Sequence, residues 1–232
     1  MTTDGGASPI VPVLEEDLRA KIRLGLVRAE PVEVGPADAA LESEIEETRR
    51  TLAARFSDRQ PSEIPGLGPA RALYRLFGVD PSRTRPSSEA LLRRVLQGKP
   101  LPRILNAVDL CNLCAVRFLL PVGLYDAAMI RGAVTLRRGR PGESYPGIRK
   151  EAVHLAGRPV LADEEGPFGN PTSDSLRTSV TEATRSLWMV IFAPADLPRA
   201  TLEADVREAC GGAARHLAPA GLAVVTDGRV LP

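Results

Sequence analysis

Two cysteines three residues apart, Cys111 and Cys114, stand in the stretch NAVDLCNLC, residues 106 to 114. On a helix that spacing puts both thiols near one face, where thiolates can hold zinc. A structural zinc site wants four ligands, and the remaining candidates are Cys210, His154 and His216, with no second CxxC and no HxxxH. Small apolar packing is the commoner task of such cysteines, and no neighbouring base or helix N-terminus marks either as a nucleophile. No metal and no cofactor is expected. Interleaved with the cysteines are Asp109 and Asn112, a carboxylate and an amide among apolar neighbours. Burying them costs several kcal/mol unless partners are found. Either they tie down nearby backbone, or they line a cleft where a ligand's ammonium or hydroxyl completes them.

A second set lies in PFGNPTSDSLRTSVTEATRS, residues 167 to 186, with eight hydroxyl side chains between Thr172 and Ser186. Such residues cap turns in an ordinary surface loop. As a site, Asp174, Ser175, Arg177 and Thr178 form a polar wall opposite the cysteine-bearing helix. A third set is basic: residues 71 to 103 carry eight Lys or Arg against two acids, Asp80 and Glu89. Arg83, Arg85, Arg93, Arg94, Lys99 and Arg103 are the candidates for phosphate contact, the alternative being a solvated face.

The elements that must position these groups follow from periodicity and punctuation. KIRLGLVRAEPVEV, 21 to 34, reads as a strand pair or a strand broken by Pro31. Pro36 and Asp38 open a long acidic helix through Phe56. GPARALYRLFGVDP is a helix closed by Gly78, and Pro86 with Ser87 and Ser88 starts another that ends at Gly98. AVDLCNLCAVRFLL, apolar nearly all round, is a buried helix ended by Pro121 and Gly123. GAVTLRR is strand-like, VHLAGRPVLADEEG a strand or hairpin turning at Asp163 to Gly166, and LWMVIFA the best core strand. An amphipathic helix from Pro198 to His216 precedes LAVVTDGRVL, read as a hairpin around Asp227 and Gly228.

With 232 residues, 44% of them apolar, the chain can bury a sizeable core. Residues 1 to 20 are expected to be flexible and 21 to 232 to form one domain. A net charge of +1 confines any electrostatic footprint to local patches. No apolar run is long enough to span a membrane, and the start lacks the features of a secretion signal. Three cysteines make no disulfide framework. A cytoplasmic protein is expected, with no membrane and no DNA partner.

Read together, RPSSEALLRRVLQGKPLPRILNAVDLCNLCAVRFLLPVGLYD, GAVTLR, PGE, VLADEEG and DSLRTSVTEATRSLWMVIF, in that order, resemble the B3/B4 domain of the bacterial phenylalanyl-tRNA synthetase β subunit. The likeness is closer to free-standing B3/B4 proteins. It runs from about Arg71 to Ala193, and more weakly back to Lys21.

The resemblance implies an α+β fold of layered β-sheets with flanking helices. It implies an editing-type activity, in which mischarged aminoacyl-tRNA is deacylated without a metal by orientation and electrostatics. tRNA or aminoacyl-tRNA is the implied partner, and a non-catalytic module binding tRNA, an amino acid or a small metabolite is the alternative. Position by position, the synthetase's threonine–asparagine pair falls on Cys111 and Asn112. Its histidine falls on Gly123, which would line the pocket. The glutamate that selects tyrosine has no aligned counterpart, and Asp174 is the nearest replacement. Asn112 and Asp174 are thus the candidate catalytic residues, with Asp109, Cys111, Gly123, Ser175, Arg177 and Thr178 as candidate substrate contacts.

Overall fold

The computed structural model describes residues 10–148 and 150–232. Among these residues, ten strands and six α-helices, with short 3-10 turns between them, make an α+β fold in three layers. The middle layer is an antiparallel sheet, β10 (Val225–Leu231), β2 (Ile22–Glu30), β9 (Leu187–Pro194) and β3 (Val122–Asp126), in that spatial order. A second sheet, β1 (Val13–Leu14), β4 (Thr135–Arg138), β7 (Pro159–Asp163) and β8 (Gly166–Gly169), covers one of its faces. Helices α2 (Ala39–Arg55), α4 (Ser87–Leu96), α5 (Asn106–Phe118) and α6 (Arg199–His216) cover the other.

Strand β9 shows why. Every one of its residues is buried, as befits a continuous apolar run with both faces covered. Alternation then divides it: Leu187, Met189, Ile191 and Ala193 pack towards the helices, and Trp188, Val190 and Phe192 towards the second sheet. In the sheet-to-sheet core Tyr125 meets Phe168 edge-on at 5.2 Å and Trp188 at 5.8 Å between ring centroids.

Local signals behave as read in most of the helices. Asp38 caps α2 by accepting from the Leu41 amide at 2.8 Å. Helix α3 (Gly68–Leu76) stops before Gly78, and α5 is buried through nine of its thirteen residues. At α4 the expected serine cap is absent: the position before the helix is Pro86, no side chain caps it, and Ser87 and Ser88 lie inside the first turn.

Of the two readings of 21 to 34, the strand broken at Pro31 is the one observed, β2 ending at Glu30. Two readings are corrected. VGLYD is a strand, β3, paired with β9, so Gly123 lies within the sheet rather than in a turn. The tail is no hairpin: Asp227 and Gly228 sit mid-strand in β10, facing Arg28 and Val27 of β2. The Asp-Gly pair suggested a turn, but this glycine serves close packing. A Cβ at Gly228 would stand 2.7 Å from both Cys210 Sγ and Val206 Cγ1 of α6.

Residues 1–9 of the expected flexible segment lie outside the described residues. Beyond them, β1 pairs with β4 and α1 (Glu16–Arg19) buries Leu18 completely, so packing begins before residue 21.

The α6 contact makes a measurable prediction. Gly228→Val overpacks it and should lower stability by about 1–3 kcal/mol in urea unfolding. Adding Cys210→Ala should restore part of that loss, since one of the two clashing atoms is removed.

Candidate functional site

The site is assembled where β3, the end of β8 and the following loop meet α5. Helix α5 presents Cys111, whose thiol donates to the Val122 carbonyl at 3.8 Å, at the start of β3. Two residues along β3 from Gly123, the Tyr125 ring folds back over it. A Cβ at Gly123 would lie 2.2 Å from the Tyr125 hydroxyl oxygen, and so would one at Gly169, at the end of β8. The phenol therefore occupies a slot that only two glycines leave open.

At the end of that slot sits Asp174. It accepts from the Tyr125 hydroxyl at 2.8 Å and from the Leu124 amide at 3.3 Å. Its carboxyl lies among densely packed groups, and this burial pushes its pKa up to about 7, against the two hydrogen bonds that lower it. The residue as a whole is only partly buried, although its carboxyl group is packed in. Tyr125 is pushed well up by burial and by the neighbouring Asp174. The Cys111 thiol is raised well above its ordinary value by burial, and burial pushes Cys114 up to about 12. Both are neutral thiols at pH 7, unsuited to nucleophilic attack.

The loop carrying Asp174 is held from several directions. The Asn170 side-chain oxygen accepts from the Thr172 and Ser173 amides, and its Nδ2 donates to the Tyr145 hydroxyl at 2.9 Å. Tyr145 in turn donates to the Ser173 carbonyl. Tyr74 of α3 donates to the Pro171 carbonyl at 2.7 Å. On the far side of Asp174, the Ser175 amide reaches the Phe168 carbonyl at 2.8 Å, and the Asp126 amide reaches that of Thr178 at 2.9 Å. The hydroxyl-rich segment is thus an inward-packed loop, with Ser175, Thr178 and Thr184 buried.

The sequence-derived candidates separate. Cys111, Gly123 and Asp174 come together around the Tyr125 phenol. Asn112, one residue beyond Cys111, is half-buried and its side chain makes no hydrogen bond to any described residue. Asp109 ties down backbone, accepting from the Ile104 amide at 2.9 Å just before α5. Ser175 spends its hydroxyl on the Arg177 amide. Arg177 turns away, paired with buried Asp163 at 2.8 Å and with Glu165 at 3.2 Å, its guanidinium 5.7 Å from the Phe168 ring. Thr178 is fully buried, its hydroxyl without a hydrogen-bond partner among the described residues.

Among the basic candidates, Arg94 donates to the Pro100 carbonyl, and Arg103 to Glu42 and to the Leu101 carbonyl. Arg85 stands 3.7 Å from Glu89. Arg83, Arg93 and Lys99 make no side-chain hydrogen bond or ion pair with a described residue. No three His, Cys, Asp or Glu side chains converge to hold a metal ion among the described residues, and no helix there is long and apolar enough to cross a membrane.

Sequence reasoning missed Tyr125, Tyr145, Gly169 and Asn170. The signal was present in GLYD and in FGN, glycines near large or amide side chains, but Gly123 reads as the stop of the preceding helix.

A family model for the B3/4 domain matches residues 70–204. The chain belongs to the B3/4 domain family. Within the match lie all but the first two residues of α3, the elements from α4 to β9, and all of the groups around Asp174. The B3/4 chain is 28% identical over 144 residues to the phenylalanine--tRNA ligase β subunit of Paramagnetospirillum magneticum, an alignment covering 62% of this chain and 16% of that subunit. It therefore spans only a small part of that curated relative. Among solved structures, an N-terminal fragment of the phenylalanyl-tRNA synthetase β subunit from Pyrococcus horikoshii aligns with 97% of this chain and 51% of its own, at 12% identity and a TM-score of 0.46.

The raised Asp174 pKa has a stability consequence. Because the folded value lies above the ordinary aspartate value of 3.8, the folded B3/4 domain holds a proton that the unfolded chain has lost. Its contribution is complete at acid pH and disappears as pH rises through about 7. Asp174→Asn cannot ionise. Its Tm relative to the unmodified chain should therefore climb between pH 5 and pH 8, and thermal melts at both values would refute the assignment if the difference stayed flat.

Proposed function

We propose that this B3/4 chain acts on tRNA as a metal-independent deacylase of mischarged aminoacyl-tRNA, with Asp174 as its general base. The observation that carries the reading is a carboxylate whose pKa burial pushes up to about 7, on a residue only partly buried as a whole and held by two donors at the end of a glycine-walled slot. General bases are most effective when their pKa lies near the working pH.

In this reading the Tyr125 hydroxyl and the Leu124 amide fix the two oxygens of Asp174. A water beside the carboxylate loses its proton to Asp174 as its oxygen attacks the aminoacyl ester carbon. The ester C–O bond then breaks, and the proton returns to the departing ribose oxygen, leaving free amino acid and uncharged tRNA. Asn112, an amide with unused donors beside Cys111, is suited to orient the aminoacyl group. Neutral Cys111 contributes shape, where the resemblance implies a threonine hydroxyl.

The substrate need not be tyrosyl-tRNA. A histidine at position 123, as the resemblance implies, would collide with the Tyr125 hydroxyl, so this slot is rebuilt around a phenol of the protein's own. The same filling favours a second reading, a module that binds tRNA without turnover.

A panel of mischarged tRNAs distinguishes the two. Deacylation of at least one, with kcat/KM rising as pH passes about 7 and falling about 100-fold or more in Asp174→Asn, is the expected result. Asn112→Ala should reduce turnover with little change in Tm. Retained tRNA binding with no deacylation across the panel would move the assignment to the binding module.

A further inference from the structure

Away from the Asp174 site, three surface hollows of about 480, 260 and 440 Å³ run across the outer faces of α3 and α4. They adjoin. Arg75 lines both the first and the second, and Arg93 both the second and the third, so the three lie in a row with these arginines at the boundaries.

Helical spacing builds it. Arg71 and Arg75 are one turn apart on α3. Arg85, Glu89, Arg93 and Gln97 recur every four residues along α4 and its flanks, and all line the second or third hollow. Lys21 enters at one end and Arg59 at the other.

Charge along the track is arranged rather than merely abundant. Glu89, with a side chain 3% exposed, accepts two bonds of 2.8 Å from Arg71 and so fixes that guanidinium while neutralising it. Asp80 is occupied by the Ser82 amide and hydroxyl, and Lys21 lies 3.7 Å from Asp17. Asp196 adds an opposing charge in the first hollow. Arg59, Arg75 and Arg93 have no ion pair or side-chain hydrogen bond with any described residue. Arginine forks match phosphate oxygens in pairs, and hollows of this size admit phosphodiester groups.

We propose that this track carries the sugar–phosphate backbone of RNA, with Arg75 and Arg93 at the two junctions as its principal phosphate ligands. The inference rests on the tRNA reading above and adds a path to it. It separates Arg85 and Arg93, which lie on the track, from Arg94 and Arg103, which are spent on carbonyls and on Glu42. It also brings in Arg59, Arg71 and Arg75. The opposite side of α3, through Leu73, Tyr74 and Phe77, leans on the loop that bears Asp174. RNA on the track would thus lie one helix away from the candidate catalytic carboxylate.

The test measures binding of uncharged tRNA to the full chain over a range of potassium chloride concentrations. In Arg75→Gln/Arg93→Gln the stems remain and folding, checked by thermal melting, should be unchanged. Affinity should fall at least 10-fold, and the slope of log affinity against log salt should lessen by about 1.5, as for two lost phosphate contacts. The control pair Arg94→Gln/Arg103→Gln should stay within about 2-fold of the unmodified chain, because these side chains already have partners in the fold. Equal loss in both pairs, or an unchanged slope in the first, would overturn the track while leaving tRNA as the partner. Failure of the unmodified chain to bind tRNA at any of these salt concentrations would overturn the tRNA reading itself.

Discussion

The structure depends on burying strand β9 on both faces. Its eight residues have no accessible side, so helices must cover one face and a second sheet the other. Its hydrogen bonds recruit β2 on one edge and β3 on the other. Through β3 this strand sets the height and register of Gly123, Leu124 and Tyr125, three of the residues that define the site. A register slip of one residue would turn the Tyr125 ring out of the sheet-to-sheet core and remove the donor that Asp174 requires.

The candidate site follows from a conflict between packing and solvation. The loop after β8 is rich in hydroxyls, yet it is drawn inward by Asn170, Tyr145 and Tyr74. Asp174 is carried with it into surroundings too dense to hydrate a charge well, and two donors are not enough to offset that loss. A carboxylate in this position is costly for the fold at neutral pH. It is chemically useful for the same reason, since it can take and return a proton near the pH at which the cell works.

Helix α5 illustrates how far residue types alone could be read. Its buried character, the neutrality of its cysteines and the need of Asp109 and Asn112 for partners all follow from composition and the cost of desolvation. Which of the two polar residues is spent on the backbone does not. Asp109 meets an amide five residues earlier in the chain because the segment before the helix turns back over its first turn, and Asn112 is left unengaged. In the same way Arg177 looked like part of a binding wall, yet Asp163, fourteen residues away, claims it. The Asp227–Gly228 turn signal yielded to a helix that needed a residue without a side chain beneath it.

The resemblance to the B3/4 family implied the α+β class; by itself, the sequence determined the buried helix, the core strand, the basic segment and the ordered motifs. These depend on periodicity and on residues near one another in the chain. The tertiary structure alone decided that Asp174 meets Tyr125 forty-nine residues away, that two glycines leave room for the phenol, and that arginines from two helices line one track. Such pairings depend on contacts between distant segments, and no local pattern records which of several chemically equal partners the folded chain brings within reach.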